Sequence, residues 1–212
     1  MKKGVATFLF CLFTILYSPF AKAQSEVTSS EIRHEIEGLK TVGSVMYLAA
    51  HPDDENTRLI AYLSKGRHLK TTYLSLTRGD GGQNLIGTEK GDLLGVVRSH
   101  ELGQARVKDG GEQCFTRAID FGYSKTANET FSFWNKEEVL KDVVWNIRKV
   151  KPDVIITRFP PDYRAGHGHH TASAMLAIEA YKAAADKNFK FNDARDGELK
   201  PWKVKRVVWN TS

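Results

Sequence analysis

The stretch Ser44–Glu55 reads SVMYLAAHPDDE and changes abruptly from apolar residues to an imidazole followed by three carboxylates. Its apolar first half predicts a strand buried on both faces, as in a parallel sheet. A helical pattern begins at Thr57 and continues through Leu63. The polar half therefore falls where a strand ends and a helix begins, which is the usual ligand position of an open α/β sheet.

Two interpretations of the polar half remain open on this stretch alone. His51 and Asp54 are ligand types that a borderline divalent metal takes, and Asp53 lies between them in sequence and stays free to move a proton. Alternatively, Asp53 or Asp54 caps the helix, because a carboxylate there accepts backbone N–H bonds and complements the helix dipole. Pro52 is also common at helix starts.

A second polar cluster, Gly166–His170 with the sequence GHGHH, favours the metal interpretation. It follows another apolar, strand-like run, Asp153–Thr157, and precedes an alanine-rich helical pattern, Thr171–Ala185. Two junctions that each supply imidazole are hard to explain as helix caps. Both clusters are therefore expected to contribute to a functional site at the carboxyl ends of strands.

Strand-like and helical patterns alternate along the chain, which predicts an α/β, Rossmann-like three-layer fold with a mostly parallel sheet. The expected strands are 41–50, 70–76, 115–121, 153–157 and 204–209, and the expected helices are 30–39, 54–65, 97–108, 136–150 and 171–185. Loops are expected at 83–96 and at 122–135, the second of them rich in aromatic residues. No G-x-G-x-x-G sequence follows the first strand, which disfavours a dinucleotide site.

The two motifs together resemble the zinc-dependent N-acetylglucosaminyl deacetylases of the PIG-L/LmbE family. The sequence AHPDDE at 50–55, paired with the GHxxH pattern at 166–170, is a specific combination. The sequences LTRGDGG at 76–82 and RSHEL at 98–102 also resemble that family's pattern. The resemblance extends from about Val42 to the end of the chain and implies an LmbE-like fold.

The resemblance implies a catalytic zinc ion with three protein ligands and one position left for water. The implied ligands are His51, Asp54 and His170. Asp53 is implied as the base that takes a proton from the attacking water, and His167 as a group that holds the oxyanion at the substrate carbonyl. A ligand set of two histidines and a carboxylate also accepts iron(II), so Zn²⁺ is the expected metal and Fe²⁺ the second candidate.

Two further positions bear on the substrate. Arg78 follows the second expected strand in a glycine-rich loop, where it is either a solvated arginine or a contact to a substrate oxygen. The resemblance favours the substrate contact. His169 stands where the family often has aspartate, so a carboxylate that would orient His167 or His170 is missing or is supplied elsewhere.

The function that the resemblance implies is removal of an acetyl group from an N-acetylated, amino-sugar-like substrate by zinc-activated water. The expected partner is a small molecule or glycan that carries an N-acetyl group. Two alternatives stay open: a non-catalytic, metal-bearing carbohydrate-binding module, for which His169 is the argument, and a zinc amidase acting on a non-sugar substrate. Residue chemistry alone supports only a small polar amide or ester as substrate.

The N-terminus has the features of a secretory signal peptide. These are the basic start Met1–Lys3, the apolar run Val5–Tyr17 and the A-x-A site at Ala21–Ala23. A signal peptide at 1–23 predicts an exported protein, periplasmic or secreted, without stable membrane insertion after cleavage. An uncleaved membrane anchor is the alternative.

The rest of the chain has the length of one domain. The net charge of +6 at pH 7 falls to +3 without the three lysines of the signal peptide, and the basic residues are dispersed, so no nucleic-acid partner is expected. Cys114 is the single cysteine left, which excludes an internal disulfide. We expect a linker and helix at 24–40 and the deacetylase domain at 41–212. No helix closes its last strand, which leaves two alternatives open: the chain is a fragment of a longer protein, truncated at the C-terminus, or the closing structure is absent. The sequence indicates no oligomeric state.

Overall fold

A computed structural model of the chain describes residues 27–211. The predicted signal peptide, 1–23, lies outside the described residues. The chain divides at Glu37 into two units, and the described part of the first holds most of helix α1, Ser29–Gly38, in which no residue is buried. No helix within 27–211 combines the length and the apolar character needed to cross a membrane.

The second unit is built on a five-stranded sheet in which every pair of neighbouring strands is parallel. The strands are β1 Ser44–Ala49, β2 Lys70–Ser75, β3 Glu112–Phe115, β4 Val154–Thr157 and β5 Arg206–Trp209. Their order across the sheet is β3-β2-β1-β4-β5. The predicted α/β fold with a mostly parallel sheet is confirmed.

Helices connect the strands and cover both faces of the sheet. They are α2 Thr57–Ala61, which continues as a π-helical turn Tyr62–Gly66, then α3 Asp92–Asp109, α4 Ala127–Phe133, α5 Lys136–Val150 and α6 Gly168–Ala185. A short 3₁₀ turn, Tyr163–Ala165, precedes α6. Consecutive parallel strands require such crossovers, because a tight turn cannot bring the chain back to the same end of the sheet.

Strand β1 is apolar from Val45 to Ala49 because both of its faces are buried there. Met46 and Leu48 belong to the core beneath α5 and α6, whereas Tyr47 and Ala49 belong to a second core that includes Ile60 of α2. Side chains alternate between the two faces of a strand, so a strand covered on both sides needs apolar residues at every position. The central strand was recognisable in the sequence for this reason.

Three predicted elements were wrong. Helix α3 begins at Asp92, inside the stretch predicted as loop, and β3 ends at Phe115, where the third strand was predicted to begin. The predicted loop 122–135 contains α4, which starts because the Thr126 hydroxyl accepts a hydrogen bond from the Glu129 N–H at 3.2 Å. This Thr-x-x-Glu capping signal, Thr126–Glu129, is present in the sequence.

Gly168 lets the second motif pack closely against the segment that leads into α4. Its N–H donates to the Ser124 carbonyl at 2.8 Å. A Cβ atom at this position would overlap the Thr126 carbonyl oxygen and the Ser124 hydroxyl, and it would lie 2.7 Å from the Thr130 hydroxyl. Only glycine fits here without moving backbone, so the start of α6 is fixed by this contact.

We expect Gly168→Ala to lower the free energy of unfolding by about 1–3 kcal/mol or more, because the methyl group forces backbone apart. The matched control is Gly103→Ala on α3, where an added Cβ meets nothing within 4 Å. That variant should be neutral or up to about 1 kcal/mol more stable, since alanine favours helix. Urea unfolding measures both, and equal stabilities for the two variants would contradict the packing argument.

Candidate active site

The two polar motifs meet at the point where the strand order of the sheet reverses. The chain leaves β1 toward β2 on one side, and β4 later pairs with β1 on the other side. An open α/β sheet binds ligands in the crevice that such a reversal creates at the carboxyl ends of the strands. A cleft of about 570 Å³ lies here, lined by His51, Asp53, Asp54, Gly81, Gly82, Gln83, Arg98, Asp120, Gly122, Tyr123, His167 and His170.

The three predicted metal ligands lie together in this cleft. His51 Nδ1 is 3.1 Å from one Asp54 oxygen, and His170 Nε2 is 3.3 Å from the other. One donor atom from each residue falls within 4.8 Å of the other two. Ligands at about 2.0–2.2 Å from a tetrahedral ion lie roughly 3.3–3.6 Å apart, so the group fits one divalent ion with little movement.

The surroundings of His170 decide which of its nitrogens faces the cluster. Its Nδ1 lies 3.2 Å from the Ala165 carbonyl, which can only accept a hydrogen bond, so Nδ1 carries the proton. The ring also stacks on Phe159, with ring centroids 3.7 Å apart and planes at 5°. Nε2 faces Asp54. It donates to the carboxylate when it carries a proton, and without that proton its lone pair lies where a metal-binding histidine needs it.

Asp54 is held ionised between the two imidazoles. Burial works against its charge, but hydrogen bonds from His170 and His51 outweigh burial and hold the pKa of the Asp54 carboxyl well below its usual range. Burial likewise opposes the charged form of His51, yet the hydrogen bond to Asp54 leaves the pKa of His51 above its usual value. The ionised Asp54 carboxylate therefore stabilises positive charge in its surroundings. A metal cation at this place would be stabilised in the same way.

The helix-cap interpretation of the first motif was wrong. The residue that caps α2 is Asn56, whose side-chain oxygen accepts a hydrogen bond from the Leu59 N–H at 3.0 Å. Asp54 instead accepts a hydrogen bond from the His51 N–H at 2.7 Å, and Asp53 points outward. Neither carboxylate is used by the helix.

Asp53 lies at the mouth of the cleft. Its side chain is 74% exposed and pairs with Arg98 at 3.2 Å. The Arg98 guanidinium, 16% exposed, also donates to the Gly79 carbonyl at 3.3 Å. A Cβ atom at Gly82 would come within 2.6 Å of Arg98, so the glycine-rich loop makes room for this arginine.

The structure does not bring Arg78 to the cleft, contrary to what was expected. Its guanidinium lies 4.6 Å from the centre of the Phe115 ring and donates to the Thr116 carbonyl at 3.1 Å. Phe115 is the last residue of β3 and Thr116 follows it, and Arg78 lines a separate surface groove with both of them. Arg98, from the sequence RSHEL that resembles the family's pattern, lines the cleft instead.

His167 presents a neutral ring to the cleft. Its Nδ1 accepts a hydrogen bond from the His169 N–H at 3.1 Å and so caps α6. Burial first, and then the neighbouring imidazoles of His170 and His51, lower the pKa of His167 to about 4. The neutral ring therefore carries its proton on Nε2, where it can donate to a carbonyl oxygen in the cleft.

Asp120 is a cleft residue that sequence reasoning missed. It is 6% exposed, and one of its oxygens accepts a hydrogen bond from the Gly122 N–H at 2.8 Å. The same oxygen is 3.8 Å from His169 Nδ1. The stretch Asp120–Gly122 was assigned to the end of a strand and a loop, and no local signal marked its carboxylate.

His169 lies behind the metal cluster and is fully buried. Its Nδ1 is 2.9 Å from His51 Nε2, and its ring stacks on Trp134. Burial is the main cause that lowers the pKa of His169 to about 3, so the ring is neutral at physiological pH. Trp134 is 4% exposed and belongs to the core.

Comparison with known proteins assigns the chain to a family. The model of the PIG-L family, described as GlcNAc-PI de-N-acetylase, matches residues 46–181. The chain belongs to this family, and the resemblance predicted from the two motifs is confirmed.

Curated relatives are deacetylases of N-acetylated sugars. The 1D-myo-inositol 2-acetamido-2-deoxy-alpha-D-glucopyranoside deacetylase of Streptomyces scabiei is 28% identical over 193 residues, which cover 82% of this chain and 58% of the relative. The diacetylchitobiose deacetylase of Thermococcus kodakarensis is 28% identical over 179 residues, covering 81% and 61%. The chain thus spans about three fifths of the length of the relatives it matches.

Solved structures support the fold. The N,N'-diacetylchitobiose deacetylase of Pyrococcus horikoshii superposes with a TM-score of 0.63 and 21% identity, over 85% of this chain and 68% of that one. GalB, the 4-carboxy-2-hydroxymuconate hydratase of Pseudomonas putida, gives a TM-score of 0.58 and 18% identity, over 78% and 64%. One fold therefore serves both a deacetylase and a hydratase, so the reaction has to be argued from the site.

We expect His170→Ala to bind zinc much more weakly than the wild-type chain, because the change removes one of the three predicted ligands. The control is His100→Ala, an exposed histidine on α3, which should keep the metal. Metal content after gel filtration against a weak chelator measures both. A fully metallated His170→Ala variant would refute the ligand assignment.

Proposed function

We propose that this chain is a metal-dependent N-deacetylase that releases acetate from an N-acetylated, amino-sugar-like substrate. The observation that carries the proposal is the grouping of His51, Asp54 and His170 in one cleft with Asp53 and His167 at its border. Family membership supports the same reaction, since curated relatives are deacetylases.

The metal would be held by His51, Asp54 and His170, and zinc is the ion we propose, with iron(II) as the second candidate. When bound, a divalent ion would lower the pKa of a coordinated water and polarise the acyl carbonyl. Two imidazoles and a carboxylate leave at least one position open for water or substrate, as catalytic zinc sites do.

Asp53 is the base in this proposal. It lies in the cleft next to Asp54 in sequence, it does not belong to the group His51, Asp54 and His170, and its exposed carboxylate is available for proton transfer. Its ion pair with Arg98 fixes the carboxylate at the cleft mouth. Asp53 would take a proton from the water that attacks the acyl carbon. A positioned base of this kind contributes about 10²–10⁴ in rate.

His167 is the oxyanion donor in this proposal. The helix cap commits its Nδ1 to the His169 N–H, so the Nε2–H is free to donate to the acyl oxygen as negative charge develops there. A neutral donor suits this role because it does not give up its proton to the oxyanion. Asp53, once protonated, then supplies the proton that the departing amine needs.

The substrate class rests on the relatives and on the polar character of the cleft. The cleft volume of about 570 Å³ lies in the range of small-molecule sites. Tyr123 lines the cleft and is 68% exposed, which offers an aromatic face to a sugar ring. We propose a small N-acetylated molecule or glycan as the partner and no nucleic acid, and export to the periplasm or the medium on the basis of the signal sequence at 1–23.

The first experiment is acetate release from a panel of N-acetylated amino sugars and N-acyl amino acids. The protein is the chain from Gln24 onward, with metal removed and then restored as zinc or iron(II). We expect release that depends on metal and is confined to the sugars. Release from acyl amino acids alone would instead favour an amidase. Bound metal without any release would favour a non-catalytic carbohydrate-binding module.

Asp53→Asn is expected to keep its zinc and to lose turnover by about 10²–10⁴, because the amide cannot accept the proton. The matched change one residue later, Asp54→Asn, should instead lose the metal. Zinc content and acetate release are measured on the same samples. If Asp53→Asn released the metal, Asp53 would be a ligand and not the base.

His167→Asn separates the cap from the oxyanion donor. Asparagine keeps an acceptor near the position of Nδ1 and is a good N-cap, but it has no group at the position of Nε2. We expect normal thermal stability, normal zinc content and a fall in kcat of about 10²–10³. Unchanged kcat would remove His167 from the mechanism.

A further inference from the structure

His169 contacts the metal cluster from the side that faces away from the cleft. We propose that His169 is a positioning residue, which accepts the Nε2–H of His51 and thereby directs the His51 Nδ1 lone pair at the metal. The inference rests on the proposed metal centre and adds a residue to it. Where the family often has aspartate, this chain would use a neutral imidazole.

The geometry places the two nitrogens of His51 between two different partners. Nδ1 is 3.1 Å from Asp54 in the cluster, and Nε2 is 2.9 Å from His169 Nδ1. Both contacts lie below the surface, since His51 is 9% exposed and His169 is fully buried. Water therefore does not replace His169 as the partner of His51 Nε2.

Proton accounting fixes the direction of this hydrogen bond once a metal is held. A metal ion on His51 Nδ1 leaves the proton of that ring on Nε2, which must donate. The acceptor in contact is His169 Nδ1, so the neutral His169 ring carries its own proton on Nε2. The metal-binding histidine thus gains the orienting acceptor that such ligands almost always have.

His169 is held rigidly enough to orient another side chain. Its ring stacks on Trp134, with centroids 4.9 Å apart and planes at 16°, and it meets Phe121 edge-on at 4.4 Å. Trp134 is anchored in turn, because its Nε1–H donates to the Ile119 carbonyl at 2.8 Å. Within residues 27–211, His169 Nε2 has no hydrogen-bond partner. The polar contact of this ring therefore runs through Nδ1, toward His51.

Two substitutions separate positioning from packing. His169→Phe keeps an aromatic ring for Trp134 and Phe121 but removes the acceptor. His169→Asn keeps an acceptor near the position of Nδ1 but removes the ring. If the role of His169 is to position His51, His169→Phe lowers the metal affinity and His169→Asn preserves it. If its role is packing, His169→Asn lowers the metal affinity and His169→Phe preserves it.

The test is the zinc affinity of the wild-type chain and of both variants, measured by competition with a chromophoric chelator at one pH. We expect His169→Phe to bind zinc about 10–100-fold more weakly than wild type, and His169→Asn to remain close to wild type. Equal affinities for wild type and His169→Phe, or an equal loss in both variants, would overturn the proposal.

A measurement on the wild-type protein keeps the proposal testable if either variant fails to fold. In the zinc-loaded chain, imidazole ¹⁵N shifts should report His169 protonated at Nε2 and unprotonated at Nδ1, and the opposite tautomer would overturn the proposal. If wild type binds no zinc, the metal centre itself is refuted and the role of His169 falls with it. Zinc binding with the wrong tautomer refutes His169 alone.

Discussion

The burial of β1 on both faces is the constraint on which the arrangement of the molecule depends. β1 pairs with β2 on one side and with β4 on the other, and each of its faces is covered by helices. A strand in this position is apolar at nearly every position, and in β1 the polar run His51–Glu55 comes only after the last strand residue. The same position makes its carboxyl end the place where the two halves of the sheet diverge and a crevice opens.

The site follows from that crevice, and its histidines share one design. Each of the three rings that line the cleft contacts the protein through one nitrogen and leaves the other nitrogen on the cleft side. His170 uses its Nδ1 for the Ala165 carbonyl, His167 uses its Nδ1 for the backbone at the start of α6, and His51 uses its Nε2 for His169. The hydrogen bond that one ring nitrogen makes with the protein determines whether the other nitrogen carries a proton. The packing of the protein around each ring therefore determines whether that ring presents a lone pair or an N–H group to the cleft.

The fold itself does not decide the reaction, as the shared architecture with a hydratase shows. The proposed reaction therefore rests on the groups that meet in the cleft of this chain: a carboxylate between two imidazoles, a second carboxylate at the mouth and the neutral ring of His167. The glycine-rich loop after β2 serves this set indirectly. Its glycines leave space for Arg98, which reaches Asp53 across the cleft mouth.

The sequence by itself determined the fold class, the family and the two motifs that supply His51, Asp54 and His170, because these depend on local patterns. An apolar run followed by polar residues marks the end of a buried strand, wherever the strand later lies in the sheet. The tertiary structure alone decided which other residues reach the cleft. Arg78 and Arg98 both lie in short sequences that resemble the family's pattern. Packing nevertheless places Arg78 against Phe115 and Arg98 against Asp53. The contact between His51 and His169 joins residues 118 positions apart, and such contacts depend on how helices pack on the sheet rather than on any pattern along the chain.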